Sequence, residues 1–137
     1  MYFFSREHER RFNELCERDN THIKDIERRS LFYIFSGNEL LYKNIDLLYD
    51  FEEHAIRLEV YEQPFLTSGI RSLIDLAFHL YGSGAECEIR FLFNTLDRRN
   101  SILALSAIKY RFQIPVEIMD ETLVAFLSDR DNQHKKW

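Results

Sequence analysis

The residues that interrupt regular structure are scarce: 4 glycines and 2 prolines in 137 residues. So few turn formers disfavour a many-stranded sandwich or barrel and favour long helices. Only 2 cysteines are present, at positions 16 and 87. They form no Cys-x-x-Cys pair, which excludes a disulfide framework and a paired-cysteine zinc site. Cys16 and Cys87 therefore read as small core residues. No uninterrupted apolar stretch outruns Leu31 to Phe35. Nothing is long enough to cross a bilayer, and the N-terminus lacks the apolar run of a signal peptide. A cytoplasmic protein without a membrane partner is the expectation.

Positive charge is in the minority. The chain has 18 Lys and Arg against 23 Asp and Glu, a formal net charge of −5. That balance gives no long-range attraction for a polyanion, so bulk nucleic-acid binding is disfavoured. Motifs of chemistry are missing as well. There is no GxGxxG or GxxxxGK[ST] phosphate loop, no HExxH and no GxSxG. No cofactor or metal is expected.

What is abundant is aromatic: 12 Phe, 7 Tyr and 1 Trp. Most stand at helical spacing. Ser5 is suited to cap a helix running to about Arg18, with His8, Phe12, Leu15 and Cys16 on one face. Asp25 starts a second helix that ends at Gly37, with Ile26, Ser30, Tyr33 and Ile34 on one side. Asn38 caps a third, carrying Leu41, Ile45 and Leu48. Residues 51–66 are less regular. Ile56, Leu58 and Val60 alternate with charged residues, and Pro64 stops a helix. This stretch reads as a long ordered loop with one short strand.

The next helix, from Ser68 to Tyr81, has two apolar sides and a narrow polar stripe, which places it at the centre of a bundle. A short helix around Ile89 follows. Asp97 then caps a periodic helix carrying Ile102, Leu105, Ile108 and Phe112. After a break at Gln113-Ile114-Pro115, residues 120–127 can form a last helix. The fold class is all-α: one domain over residues 1–128, five or six helices around the helix at about 68–81. Residues 129–137 read as a polar tail.

Three sets of polar residues stand out. Arg71, Asp75 and His79 recur every four positions along one side of the predicted central helix. In an enzyme Asp75 would orient His79 as a base and Arg71 would hold an anion; otherwise the set is a wet stripe with an ion pair. Arg28 and Arg29 sit early in a helix, against its dipole, with Phe32 beside them. An aromatic next to arginines has the composition of an interaction hot spot. Arg98, Arg99, Lys109 and Arg111 could form a local basic patch for nucleic acid. The remaining histidines read as structural or solvated. His8 is on an apolar face, His22 is in a turn, and His54 follows Glu52 and Glu53 without the further ligands a metal needs.

Several segments resemble a family of small uncharacterised proteins, a domain of unknown function, from Gram-positive bacteria and their mobile elements or phages. The resembling residues are Met1-Tyr2-Phe3-Phe4-Ser5 with His8 and Phe12, then Glu27 through Ile34 closed by Gly37-Asn38. Tyr49-Asp50-Phe51-Glu52, Thr67-Ser68-Gly69 and Ala107 through Phe112 complete the set. The segment after Gln113 reads as an extension beyond that shared core. The resemblance implies a bacterial or phage origin and a cytosolic setting, and it carries no assigned activity.

Missing catalytic motifs, an acidic balance and surplus aromatics together predict a non-enzymatic protein-binding module of adaptor or inhibitor type. A partner protein or a second copy in a homodimer would engage it. The alternatives are a small enzyme at His79 and Asp75, and nucleic-acid binding through the four cations.

Overall fold

The computed structural model describes residues 1–115. Those residues hold seven α-helices: α1 (Arg6–Asp19), α2 (Ile26–Gly37), α3 (Glu39–Lys43), α4 (Ile45–Leu48), α5 (Ser68–Tyr81), α6 (Ile89–Thr95) and α7 (Arg98–Phe112). A two-stranded hairpin, β1 (Tyr49–Asp50) with β2 (Ala55–Ile56), and a 3-10 helix over Leu58–Glu62 fill the interval between α4 and α5. The fold is all-α, as composition and spacing predict.

Polar residues before the helices fix where they begin. Ser5, Asp25, Asn38, Thr67 and Asp97 each accept a hydrogen bond from the backbone N–H three residues on. Each satisfies one amide that the helix itself leaves orphaned. Left-handed residues end three helices: Asn20 after α1, Gly82 after α5 and Gln113 after α7.

The hub of the bundle is α2, not the Ser68–Tyr81 helix. Every residue from Ser30 to Gly37 is buried, and α2 packs against α1, α3, α5 and α7. Small residues permit this. Ser30 and Ser36 satisfy their hydroxyls within the helix, on Ile26 O and Tyr33 O. At Gly37 an added Cβ would lie 2.4 Å from Leu103 Cδ1 and 2.9 Å from His8 Nε2, so only glycine lets α7 and α1 approach this closely. By contrast α5 has the predicted bounds and a buried side, but Arg71 and His79 remain exposed on it. Each large apolar side chain sealed in this core contributes roughly 1.5–3 kcal/mol.

Two segments differ from the sequence pattern. The predicted helix after Asn38 is split at Asn44 into α3 and α4. The Asn44 N–H closes on Leu40 and Leu41 carbonyls, and its side chain donates to Leu40 O. A local bond thus competes with the helix ladder. In residues 51–66 the alternation of Ile56, Leu58 and Val60 does not form a strand. Only Ala55–Ile56 pairs, Ile56 with Tyr49 and Ala55 with Asp50. Val60 reaches the core from the 3-10 helix instead.

The N-terminal residues close the bottom of the core. Tyr33 OH donates to Tyr2 O at 2.6 Å, and the Phe3 ring meets His8, Phe12 and Tyr33. The Phe4 N–H donates to His8 Nδ1, so Nε2 carries the proton and donates to Tyr33 O at 3.1 Å. Burial pushes the His8 pKa down to about 4, keeping the ring neutral. Cys16 is buried, its thiol pushed up to about 11 by burial, and Cys87 is half-buried; both are free. The predicted helix at 120–127, the domain end at 128 and the polar tail at 129–137 lie outside the described residues.

Candidate functional site

Polar side chains converge at the end of α1. Asp19 is buried there, and a buried carboxyl needs several donors. Tyr49 OH donates to Asp19 Oδ1 at 2.7 Å, and Thr21 Oγ1 donates to Oδ2 at 2.5 Å. His54 Nδ1 lies 2.7 Å from the same Oδ1. An oxygen that already accepts from Tyr49 requires the proton on Nδ1. The His54 backbone is left-handed, φ 54°, a conformation uncommon outside glycine, although histidine adopts it more often than most side chains. The turn before it is held by Asp50 Oδ1, which accepts from the Glu52 and Glu53 amides. Burial, followed by the hydrogen bond to Asp19, raises the Tyr49 pKa.

Arg28 is the spoke of this network. It donates to Asp25, to His54 O and to Tyr81 OH at 3.0 Å. Its Nε lies 4.0 Å from Asp19 Oδ2. Arg29 donates to Tyr110 OH and lies over the Phe12 ring. Both arginines therefore tie α2 to neighbouring elements. Phe32 overturns the hot-spot reading outright. It is 0% exposed, stacked on Phe51 and edge-on to Tyr49. A helix buried on several sides places an aromatic beside arginines without presenting it to a partner.

Arg71, Asp75 and His79 share a helix side but not a task. Asp75 accepts from Tyr61 OH at 2.7 Å, and the Arg71 guanidinium lies over the Tyr61 ring. His79 Nδ1 meets Ala85 O at 2.8 Å and lines an open hollow with Gly82 and residues 84–88. The base and its intended orienting group thus turn to different partners. Among the described residues, no three His, Cys, Asp or Glu side chains converge as metal ligands. A polar cleft of about 430 Å³ opens beside Ser5, His8, Asn38, Arg99 and Asn100. Its charges are largely self-satisfied, since Arg11 bonds both Glu7 and Glu39.

The periodicity of α7 does not say which of its sides is enclosed. Its buried residues are Leu103, Ala104, Ser106 and Ala107. Of the apolar residues that recur along it in the sequence, Ile102 is half-buried and Ile108 packs against the edge of the core, while Leu105 and Phe112 face outward. Leu105 is 43% and Phe112 57% exposed, with half-buried Ile108 between them. Small inward residues let α7 pack closely on α2, so its larger side chains remain outside. Spacings of three and four put Leu105, Ile108 and Phe112 on one face, about 10 Å long.

The helix also has four cations and no carboxylate. Arg99 lies over the Phe4 ring, and Arg111 donates to Leu80 O and pairs with Glu27. Arg98 is exposed seven residues before Leu105, and Lys109 follows Leu105 by four. Beside Lys109 lies a groove of about 330 Å³, bordered by Met1, Tyr2, Ser106, Ile114 and Pro115.

The described residues thus define a small helical-bundle protein whose most distinctive surface is one cationic, outward-apolar helix. The chain belongs to the family of unknown function DUF6075, which it matches over residues 1–122. The family therefore extends past Gln113, where the sequence reading places its end. No curated protein and no solved structure matches the chain. Among the described residues, no helix is long and apolar enough to cross a membrane.

Proposed function

We propose that this protein is a non-enzymatic binding module that engages another protein through the outward face of α7. The observation supporting it is the exposure of Leu105 and Phe112 on the side of α7 opposite the core. Apolar side chains exposed in a row, rather than scattered singly, mark contact surfaces. An adaptor or inhibitor working in the cytoplasm of a Gram-positive bacterium, or encoded by its phages and mobile elements, is the setting that the sequence resemblance favours.

The two alternatives have less support. An acid–base site at His79 needs Asp75 beside it, and Asp75 is engaged by Tyr61. A phosphate-binding patch needs its cations free, and Arg99 and Arg111 have partners within the fold. They also stand on α7 with Arg98 and Arg111 about 20 Å apart along the axis.

The test is affinity capture from a lysate of the source organism with wild type, Leu105→Glu and Phe112→Asp. A partner held by wild type and lost by both variants supports the reading, provided their circular dichroism is unchanged. Equal recovery by all three chains rejects it.

A further inference from the structure

We infer that residues 1–4 form an acid-released strap: His8 latches them onto the aromatic floor of the bundle, and a proton on its Nδ1 lets them go. This device is independent of what α7 contacts.

Residues 1–4 precede the first helix and belong to neither strand. Their backbone is held by Tyr33 OH, which donates to Tyr2 O, and by His8 Nδ1, which accepts from the Phe4 N–H at 3.3 Å. The Phe3 ring packs edge-on to His8 and against Phe12 and Tyr33. The Phe4 ring stacks on His8 beneath the Arg99 guanidinium.

The latch works with a neutral ring only. Nε2 is fixed as the donor by Tyr33 O at 3.1 Å, so Nδ1 must accept. A proton on Nδ1 turns that acceptor into a donor facing the Phe4 N–H, and attraction becomes repulsion. Turning the ring over restores nothing, since both nitrogens of an imidazolium donate.

The charges around His8 do not compensate such a proton. Arg99 of α7 adds positive charge. Glu7 and Arg11 of α1 and Glu39 of α3 line the neighbouring cleft, and both carboxylates are already bound by Arg11. Tyr33 of α2 and Tyr2 of the strap contribute phenols, which carry no charge in acid. Water remains to solvate the ring, and it reaches Nδ1 once Phe3 and Phe4 withdraw. Burial holds the closed ring at about 4, against an ordinary value of 6.5. Falling pH therefore favours the open strap through that interval, and rising pH closes it.

The strap is the part that gives. Phe12 and Tyr33 belong to the sealed core, whereas Phe3 and Phe4 are partly buried at its edge. Opening bares the Phe12 and Tyr33 rings and removes the Met1 and Tyr2 wall of the groove beside α7. An aromatic floor bared in acid is a binding surface that neutral conditions hide.

The test is NMR of the isotope-labelled full chain between about pH 7 and about pH 3.5. The Phe3 contacts with Phe12 and Tyr33 should be lost, and the amide order parameters of Tyr2, Phe3 and Phe4 should fall from about 0.85 to below about 0.6. The change should share one midpoint with the His8 ring, between pH 4 and 6.5, while the contacts of Phe32 and Leu103 persist. His8→Gln keeps an acceptor that acid does not protonate, so its strap should stay closed throughout. Phe3→Ala loosens the strap but keeps the latch, and each tenfold loss of closure should raise the midpoint by about one pH unit.

A strap that stays rigid at the acid end overturns the inference, whether or not the ring titrates. So does a strap lost together with the Phe32 and Leu103 contacts, because the whole bundle then unfolds. Release of the His8→Gln strap at the wild-type midpoint has the same force, as does an unmoved midpoint in Phe3→Ala.

Discussion

Asp19 Oδ1 and His54 Nδ1, thirty-five residues apart in sequence, lie 2.7 Å apart. The first is buried at the end of α1; the second stands on the turn between β1 and β2 with its side chain 49% exposed. The contact clamps the hairpin turn onto the bundle, and it holds His54 in a backbone conformation that a side chain ordinarily avoids.

Removing either partner should therefore cost stability, unequally. Asp19→Ala strands the hydroxyls of Tyr49 and Thr21 and should cost about 3 kcal/mol. His54→Ala loses the contact yet keeps the strained backbone, at about 1–2 kcal/mol. His54→Gly loses the contact and relieves the strain, recovering about 1 kcal/mol of that. Urea denaturation of the three variants measures the series, and equal midpoints for His54→Ala and His54→Gly would show that the backbone stores no strain.

Gly37→Ala should destabilise by about 1–3 kcal/mol, because the new methyl meets Leu103 and His8 at distances the packing cannot accept. The accompanying Leu103→Ala change makes room for it. In chemical denaturation the double variant should therefore lose less than the sum of the two single losses.

Stability should depend on pH through His8. Its folded pKa, about 4, lies below the ordinary value of 6.5, so the unfolded chain binds more protons between those values. Stability then rises with pH across that window and is fully present above it, by on the order of 3 kcal/mol. Glu7 acts with the same sign in a lower window that ends at its ordinary value of 4.5, since its hydrogen bond from Arg10 holds its carboxyl at about 2. Urea midpoints between pH 4 and 7 measure the slope. A flat profile, or a His8 ring that titrates near 6.5 by NMR, would contradict the neutral buried histidine.

Phe32→Ala should unfold or nearly unfold the protein, at a cost of about 3–5 kcal/mol. A hot-spot residue would lose a partner and keep its thermal midpoint. Calorimetry of the variant separates the two roles.

Helix starts were legible because capping is local chemistry. Ser5, Asp25, Asn38, Thr67 and Asp97 need only their own next three residues to act. The orientation of α7 was not. Leu103, Ala104 and Ala107 form as regular a stripe as Leu105, Ile108 and Phe112, and the larger residues look like the inward ones until small residues are needed for close approach. The same limit hid the hub. Polar residues on α5 mark a wet stripe, whereas the serines and glycine of α2 give no sign that they are enclosed.

The Asp19 cluster was also beyond the sequence. Asp19, Arg28, Tyr49, His54 and Tyr81 come from five separate segments, and no spacing announces a meeting set by tertiary packing. A single signal was available: Asp19 closes a helix at the end where negative charge is disfavoured, a placement that calls for donors from elsewhere.

The enclosure of α2 by four other helices has a consequence for how the molecule opens. No layer can peel away while leaving that inner rod dry, so its amides should be the last to exchange with deuterium, and only when the entire bundle comes apart. Fragments made separately on either side of the α2–α3 junction would accordingly each lack half of that interior, and neither should hold its shape alone.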